Sequence, residues 1–120
     1  MLKRRIGLAL VMVATLAGVP AEAHQEGIAS WYGGRHEGRL MANGEPFHNQ
    51  APYCAHRNLP LGTRIEVHNL ATQKSAACLV TDRGPYRAGR IVDVSEAVAR
   101  QIGLRDAGLA PARIVVLADR

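Results

Sequence analysis

Two aspartates next to apolar segments are the residues whose positions most need a chemical explanation. Asp82 ends one apolar run, and Asp93 interrupts another. A carboxylate in such a place is half-buried or is held by a positive partner. Asp82 could pair with Arg83 or Arg90, and Asp93 could cap the helix that follows it. Two carboxylates at adjacent strand ends fit a catalytic acid–base pair equally well, because perturbed carboxylates cluster at functional sites.

Glu45 and His56 are further ionisable candidates. Glu45 follows the turn signal Asn43-Gly44, so a loop presents its carboxylate; the alternative is an ordinary solvated charge. His56 comes two residues after Cys54, and a disulfide there would fix its backbone. The alternative for His56 is a hydrogen-bonded structural histidine. The histidines show no ligand spacing such as His-x-x-x-His, so we predict neither a metal site nor a cofactor.

Trp31 and Tyr32 are neighbouring aromatic residues. Alternation along a strand places them on opposite faces, so one should pack in the core while the other is exposed or lines a groove. An exposed aromatic ring is a natural platform for a sugar ring or a base. Nucleic acid is not favoured as a partner, because only one lysine follows residue 23 and no basic stretch is interleaved with aromatic residues.

Residues 1–23 have the pattern of a secretory signal peptide. Basic residues at 3–5 precede an uncharged, mostly apolar run at 6–19, and Ala21-Glu22-Ala23 has small residues where signal peptidase reads them. The apolar run is shorter than the ~20 residues of a membrane-spanning helix. We therefore expect cleavage after Ala23 and one domain at 24–120, located in the periplasm or secreted. Since no cysteine lies near the cleavage site, we expect no lipid and no stable membrane anchor.

Length and cysteine content narrow the possibilities. The 120 residues have room for one small domain, which excludes a TIM barrel or a Rossmann domain joined to a second domain. The formal net charge of +5, part of which belongs to the signal peptide, weakly favours an anionic partner. Cys54 and Cys78 are the only cysteines, and export predicts that they form a disulfide worth about 3 kcal/mol. Two buried thiols are the alternative, and the spacing does not suit a zinc site.

Apolar periodicity predicts many short strands and one helix. Strands are expected at 27–32, 63–68, 76–81, 91–94 and 112–117. Ser95 should cap a helix over 96–102 that stops at Gly103. Residues 33–60 are rich in Gly, Asn, Pro and His, which predicts a long loop with one helical turn. Such a pattern favours a compact β-barrel over a layered α/β sheet.

An ordered run of short motifs resembles the rare lipoprotein A (RlpA) family, from about Gly27 to Leu117. The motifs are Gly-Ile-Ala-Ser-Trp-Tyr-Gly at 27–33, Ala-Asn-Gly-Glu at 42–45, Ala-His at 55–56, Leu-Pro-Leu-Gly-Thr at 59–63, Val-His-Asn-Leu at 67–70, Asp-Arg-Gly-Pro-Tyr at 82–86 and Gly-Arg-Ile-Val-Asp-Val-Ser at 89–95. The order is specific, although each motif alone is not. The resemblance implies a mainly β fold, a six-stranded double-psi β-barrel related to expansins, with one or two short helices. Met41 departs from the family, which usually has Thr there.

The resemblance also implies an activity and a set of site residues. The implied activity is that of a lytic transglycosylase acting on peptidoglycan glycan strands, especially strands stripped of stem peptides. The implied catalytic residues are Asp93, Asp82, Glu45 and His56. The implied substrate-binding residues are Trp31, Tyr32, Asn43, Arg83 and Tyr86. We expect a monomer, with cell-wall or division proteins as additional candidate partners.

Several functions are compatible with this sequence. In a transglycosylase, Asp93 would protonate the glycosidic oxygen between N-acetylmuramic acid and N-acetylglucosamine and then accept the proton of the C6 hydroxyl, which leaves a 1,6-anhydro end. A hydrolase would use water and a second carboxylate as base. A non-catalytic, expansin-like peptidoglycan-binding module is the alternative from another class. A secreted protein-interaction domain is the remaining one.

Overall fold

Six strands and one short helix make up the part of the chain that the structure, a computed structural model, describes: residues 24–119. The predicted signal peptide lies outside the described residues. The strands are β1 (His24–Trp31), β2 (Tyr53–Ala55), β3 (Thr63–Asn69), β4 (Lys74–Asp82), β5 (Arg90–Val94) and β6 (Ala110–Asp119), and the helix α1 is Glu96–Gln101.

The strands close into a barrel in the order β1-β5-β2-β4-β3-β6. The pairs β1–β5 and β2–β4 are parallel, and the other four pairs are antiparallel. This architecture confirms the expected fold class, a mainly β barrel of six strands with a short helix.

The barrel interior is filled by the alternate, inward-facing side chains of its strands. On β3 the buried positions alternate with more accessible ones, as expected for a strand with one face in the core. The largest fully buried aliphatic side chains of the barrel and helix are Ile65, Val67, Val80, Val92, Val94, Val98, Ile102, Leu104 and Ile114. The predicted disulfide is confirmed: Cys54 and Cys78 are bonded, with a Cα–Cα distance of 5.9 Å, and link β2 to β4.

Strand β2 was missed in the sequence, because three residues inside a segment rich in turn formers are too short to show alternation. The rest of the long segment contains the expected helical turn, a 3₁₀ turn at Gly34–His36. The strands β1 and β6 extend beyond the predicted bounds where they pair with each other, from His24 opposite Val115 to Ala29 opposite Ala110. The C-terminal extension of β6 pairs instead with β3, with Asp119 opposite Thr63.

The helix α1 begins and ends where local signals predict. The Ser95 side chain accepts a hydrogen bond from the Val98 backbone N–H at 3.4 Å, which caps the first turn. Gly103 follows the helix with a φ of +72°, a backbone conformation that favours glycine. Among residues 24–119, no helix is long and apolar enough to cross a membrane.

Candidate active site

The two aspartates lie on either side of the short strand β2. Asp82 on β4 and Asp93 on β5 both pair with Ala55, and Ser30 on β1 pairs with Asp93. Paired residues of neighbouring strands point to the same face of a sheet. Ser30, Asp93, Ala55 and Asp82 therefore form a row across four adjacent strands, with the small side chain of Ala55 between the carboxylates.

Asp82 is held as a hydrogen-bond acceptor. Its Oδ2 accepts from the Tyr32 hydroxyl at 3.0 Å, and its Oδ1 accepts from the backbone N–H groups of Ala42 and Arg83, each at 2.9 Å. The pairing with the Arg83 guanidinium, one alternative from the sequence, does not occur. That guanidinium donates instead to the carbonyl oxygens of Leu59 and His56, at 2.7 and 3.2 Å. Arg83 thus fixes the loop after β2.

Asp93 has fewer partners. Its Oδ1 accepts a hydrogen bond from the Ser30 hydroxyl, and no other hydrogen bond reaches its side chain from residues 24–119. It does not cap α1, because Ser95 performs that function. The half-buried carboxyl of Asp93 therefore keeps an oxygen available for a ligand.

Tyr32 lies close to both carboxylates. Burial of its phenol, the negative charge of Asp82, the hydrogen bond to Asp82 and the charge of Asp93 together raise the pKa of Tyr32 far above its ordinary value. The hydroxyl consequently stays protonated and serves as a donor.

A surface cavity of about 390 Å³ opens beside Asp82. It is lined by Tyr32, His36, Arg39, Leu40, Met41, Phe47 and Asp82. Aromatic rings pack along its wall: the ring centroid of Tyr32 is 4.5 Å from that of Phe47 and 5.0 Å from that of His36. Met41, at the position where the resembled family usually has Thr, is buried and accepts a hydrogen bond from Thr81 Oγ1 to its sulfur at 3.1 Å.

His56 occupies a structural network next to the site. Its ring is buried, with Nε2 2.9 Å from Gln25 Oε1, and Nδ1 accepts from the backbone N–H groups of Asn58 and Leu59 at 3.2 and 3.1 Å. These partners define a neutral ring that carries its proton on Nε2. Burial first, and then the charges of Arg57 and Arg83, lower the pKa of His56.

The ring of His56 makes no hydrogen bond to either aspartate within residues 24–119, and its predicted part in catalysis stays a prediction. Its environment is that of the alternative, a hydrogen-bonded structural histidine. Its backbone N–H does reach the site, donating to the main-chain oxygen of Asp82 at 3.1 Å.

Glu45 and Asn43 lie in an exposed loop above β4. Asn43 Oδ1 accepts from the Glu45 backbone N–H at 2.9 Å, and the Asn43 N–H donates to the Thr81 carbonyl at 3.1 Å. The loop is thus fixed one residue before Asp82, while the Glu45 side chain is exposed. Tyr86 is 73% exposed beyond the turn that follows Asp82. A ligand can therefore reach the side chains of Glu45 and Tyr86 from solvent.

Trp31 points away from the aspartates, and its predicted contact with glycan stays a prediction. Its side chain lies on the opposite face of β1 from Ser30 and Tyr32 and packs against the barrel core. The indole N–H donates to the Arg105 carbonyl at 3.2 Å, and the Arg105 guanidinium carbon lies 5.9 Å from the ring centroid. Of the aromatic pair, Tyr32 is the residue that lines the cavity.

Ser30, His36 and Arg39 are site residues that sequence reasoning missed. Ser30 could have been found from its parity, because it precedes Tyr32 by two positions and shares its strand face. His36 and Arg39 lie in a segment with no periodicity, and no local signal identifies them. Within the described residues, no group of three His, Cys, Asp or Glu side chains is arranged to hold a metal ion.

Comparison with known proteins identifies relatives over most of the chain. A family model for a double-psi β-barrel domain, described as lytic transglycolase, matches residues 24–114. A probable endolytic peptidoglycan transglycosylase RlpA of Synechocystis is 48% identical over 69% of this chain and 26% of its own length. The RlpA of Neisseria meningitidis is 43% identical over 78% of this chain and 39% of its own. The chain thus spans about a quarter to two-fifths of the length of these relatives.

Solved structures with the same fold are more distant in sequence. The Streptomyces papain inhibitor aligns with a TM-score of 0.64 and 18% identity, over 82% of this chain and 98% of its own. Clavibacter michiganensis expansin aligns with a TM-score of 0.61 and 23% identity, over 81% of this chain and 52% of its own. At these identities the likeness concerns the fold alone.

Proposed function

Because the chain belongs to the lytic transglycolase family of double-psi β-barrel domains, we propose that it cleaves peptidoglycan glycan strands as an endolytic transglycosylase. The bond broken is the one between N-acetylmuramic acid and N-acetylglucosamine, and the product carries a 1,6-anhydro end. The observation that supports this chemistry is the placement of Asp93 and Asp82 on either side of Ala55.

Asp93 is the proposed acid and base. It has one hydrogen-bond donor among the described residues, whereas Asp82 has three. Asp93 therefore has the freer carboxyl oxygen with which to pass a proton to the glycosidic oxygen. The bond from C1 of the muramic residue to that oxygen breaks, and the glucosamine leaves as an alcohol. The C6 hydroxyl of the muramic residue then attacks C1, and its proton returns to Asp93.

Asp82 is the proposed electrostatic partner. The oxocarbenium-like transition state carries positive charge, and a carboxylate held by three donors needs no reorganisation to stabilise it. Asp82 suits this role better than Glu45, because Asp82 lines the cavity and is oriented by Tyr32. Glu45, Asn43 and Tyr86 are proposed to contact the glycan from the exposed loops. His56 and Arg83 are proposed to act by positioning the loop after β2.

The proposed substrate determines where the protein works. Peptidoglycan lies outside the cytoplasmic membrane, so we place the protein in the periplasm or in the secreted fraction after removal of residues 1–23. The preferred strands are proposed to be poor in stem peptides. A monomer is proposed to suffice, because both aspartates belong to one barrel.

Cleavage products test the proposal. The wild type, Asp93→Asn, Asp82→Asn and the control Asp106→Asn, which changes a fully exposed aspartate, are incubated with peptide-free glycan strands and analysed by mass spectrometry. We expect anhydro-ended fragments from the wild type and the control, and a loss of about 100-fold or more in Asp93→Asn. Asp82→Asn should lose activity while still binding glycan.

Other outcomes would reject parts of the proposal. A folded Asp93→Asn protein that cleaves at the wild-type rate would remove Asp93 as the acid. Fragments without anhydro ends would identify a hydrolase. Strands that are bound but never cleaved by the wild type would identify the second candidate, a non-catalytic peptidoglycan-binding module.

A further inference from the structure

Basic side chains border the cavity beside Asp82. The 3₁₀ turn and the residues after it carry Arg35, His36 and Arg39, which line a second surface depression of about 500 Å³. His36 and Arg39 also line the cavity that contains Asp82. The two depressions therefore share a wall, and a ligand lying over Asp82 would extend past these basic side chains.

The two arginines have no anionic partner within residues 24–119. Neither the Arg35 nor the Arg39 side chain takes part in any ion pair or hydrogen bond of the described residues, and both residues are exposed. Glu37 lies between them in the sequence, but its carboxylate binds other residues. Its carboxylate oxygens are 3.0 Å from His48 Nδ1 and 2.7 Å from the Asn49 N–H. Both guanidinium groups are thus available to an external anion.

The backbone that carries these arginines is held on both sides. Gly38 N–H donates to the Phe47 carbonyl at 2.7 Å, and Phe47 N–H donates to the Arg39 carbonyl at 2.8 Å. The His36 N–H donates to the Gly33 carbonyl at 3.1 Å, and the His36 ring packs edge-on against Tyr32. An arginine whose backbone is already fixed loses less conformational entropy when it binds an anion than an arginine on a free loop.

We propose that Arg35 and Arg39 form a carboxylate subsite that recognises the lactyl group of a muramic residue next to the bond over Asp82. This inference rests on the proposed function, which supplies the substrate class. Guanidinium groups bind carboxylates through parallel, charge-assisted hydrogen bonds. A free lactyl carboxylate carries the charge that such a site requires, whereas an amide-linked lactyl group does not. The subsite is thus a specificity determinant located on the 3₁₀ turn and the residues that follow it.

The test compares one glycan in two chemical forms. Peptide-free strands with free lactyl carboxylates, and the same strands after conversion of those groups to methylamides, are titrated calorimetrically. The protein carries Asp93→Asn so that the strands stay intact, and it is combined with Arg35→Gln, Arg39→Gln, both changes, or the control Arg64→Gln. Arg64 is exposed on β3, so it tests the effect of lost charge alone.

We expect the Asp93→Asn protein to bind the carboxylate form about tenfold more tightly than the amide form. Removal of both arginines should reduce this ratio to about twofold or less, and Arg64→Gln should leave it unchanged. An undiminished ratio in the double arginine variant, or an equal loss in Arg64→Gln, would overturn the subsite.

Cleavage is scored separately, with Asp93 intact, so that the two proposals fail independently. A preference for the carboxylate form without anhydro products would support the subsite and reject the transglycosylase. Anhydro products from both forms at equal rates and equal affinities would overturn the subsite alone.

Discussion

The interactions of individual side chains separate the residues that can move protons from those that hold the site in place. Tyr32 stays protonated because burial and two neighbouring carboxylates raise its pKa, so it can donate to Asp82 but cannot serve as a base. His56 is a neutral ring with both nitrogens in use. Within residues 24–119 the Asp93 carboxyl accepts a single hydrogen bond, from Ser30, which is why the proposed proton transfer is assigned to it.

The lowered pKa of His56 predicts a pH-dependent stability. Below the ordinary histidine pKa of about 6.5, the unfolded chain takes up a proton that the folded ring resists. The contribution of His56 to stability is therefore fully present above about pH 6.5 and is lost as the pH falls below that value. In His56→Gln the protein should be less stable at neutral pH, but its stability should fall less between about pH 7.5 and about pH 5.5.

Urea unfolding at these two pH values measures the difference, with His24→Gln as a control for an exposed histidine. The control should keep the wild-type pH dependence. If His56→Gln shows the same loss of unfolding free energy on acidification as the wild type, the pH dependence of stability does not come from burial of a neutral His56 ring.

At the scale of elements, β2 and β1 bring the site together. β2 has only three residues, and its position depends on pairing with β4 and β5 and on the disulfide to Cys78. β1 approaches β5 closely through Gly27, where an added Cβ would lie 2.6 Å from Ile91 Cγ2 and 3.0 Å from the Gly89 carbonyl oxygen. This approach places Ser30 opposite Asp93.

Gly27→Ala should therefore destabilise the barrel by about 1–3 kcal/mol and weaken cleavage by displacing Ser30. Gly33→Ala is the matched control, because an added Cβ there meets nothing within 4 Å, and it should change stability by less than about 0.5 kcal/mol. Thermal and urea unfolding of both variants provide the measurement. Equal stabilities for Gly27→Ala and Gly33→Ala would contradict the close β1–β5 approach.

At the scale of the whole molecule, closure of the barrel makes the site depend on distant strands. β6 pairs with both β1 and β3, so it joins the strand that carries Ser30 to the strand hydrogen-bonded with β4. The core is continuous across the strands and α1. A cavity opened in β6 should thus destabilise the entire barrel, and unfolding should be cooperative.

Ile114→Ala tests this coupling. Ile114 on β6 is 1% exposed, whereas Leu117 on the same strand is 45% exposed. We expect Ile114→Ala to cost about 2–5 kcal/mol and Leu117→Ala to cost clearly less, with fluorescence and circular dichroism reporting one transition. A cost for Ile114→Ala no larger than that for Leu117→Ala, or separate transitions for the two probes, would show that β6 is not part of a single core.

The sequence alone determined the features of the fold that depend on residues close together in the chain. The capped helix α1, five of the six strands by their alternation or apolar runs, and the disulfide follow from residue types and short spacings. The same signals single out Asp82 and Asp93 as candidate site residues. The motif order also identified the family and thereby the six-stranded barrel. Such features depend on neighbours in the chain, where periodicity and capping apply directly.

Only the tertiary structure decided how these residues meet. Strand pairing and register determine the position of β2, the row from Ser30 to Asp82, the hydrogen bonds of the His56 ring and the packing of Trp31 against the barrel core. Among the described residues, Arg35 and Arg39 have no anionic partner, and Glu37, which lies between them, is hydrogen-bonded to the Asn49 backbone instead. Pairing between residues far apart in the chain is set by closure of the barrel and its common core, and no local pattern in the sequence encodes that closure.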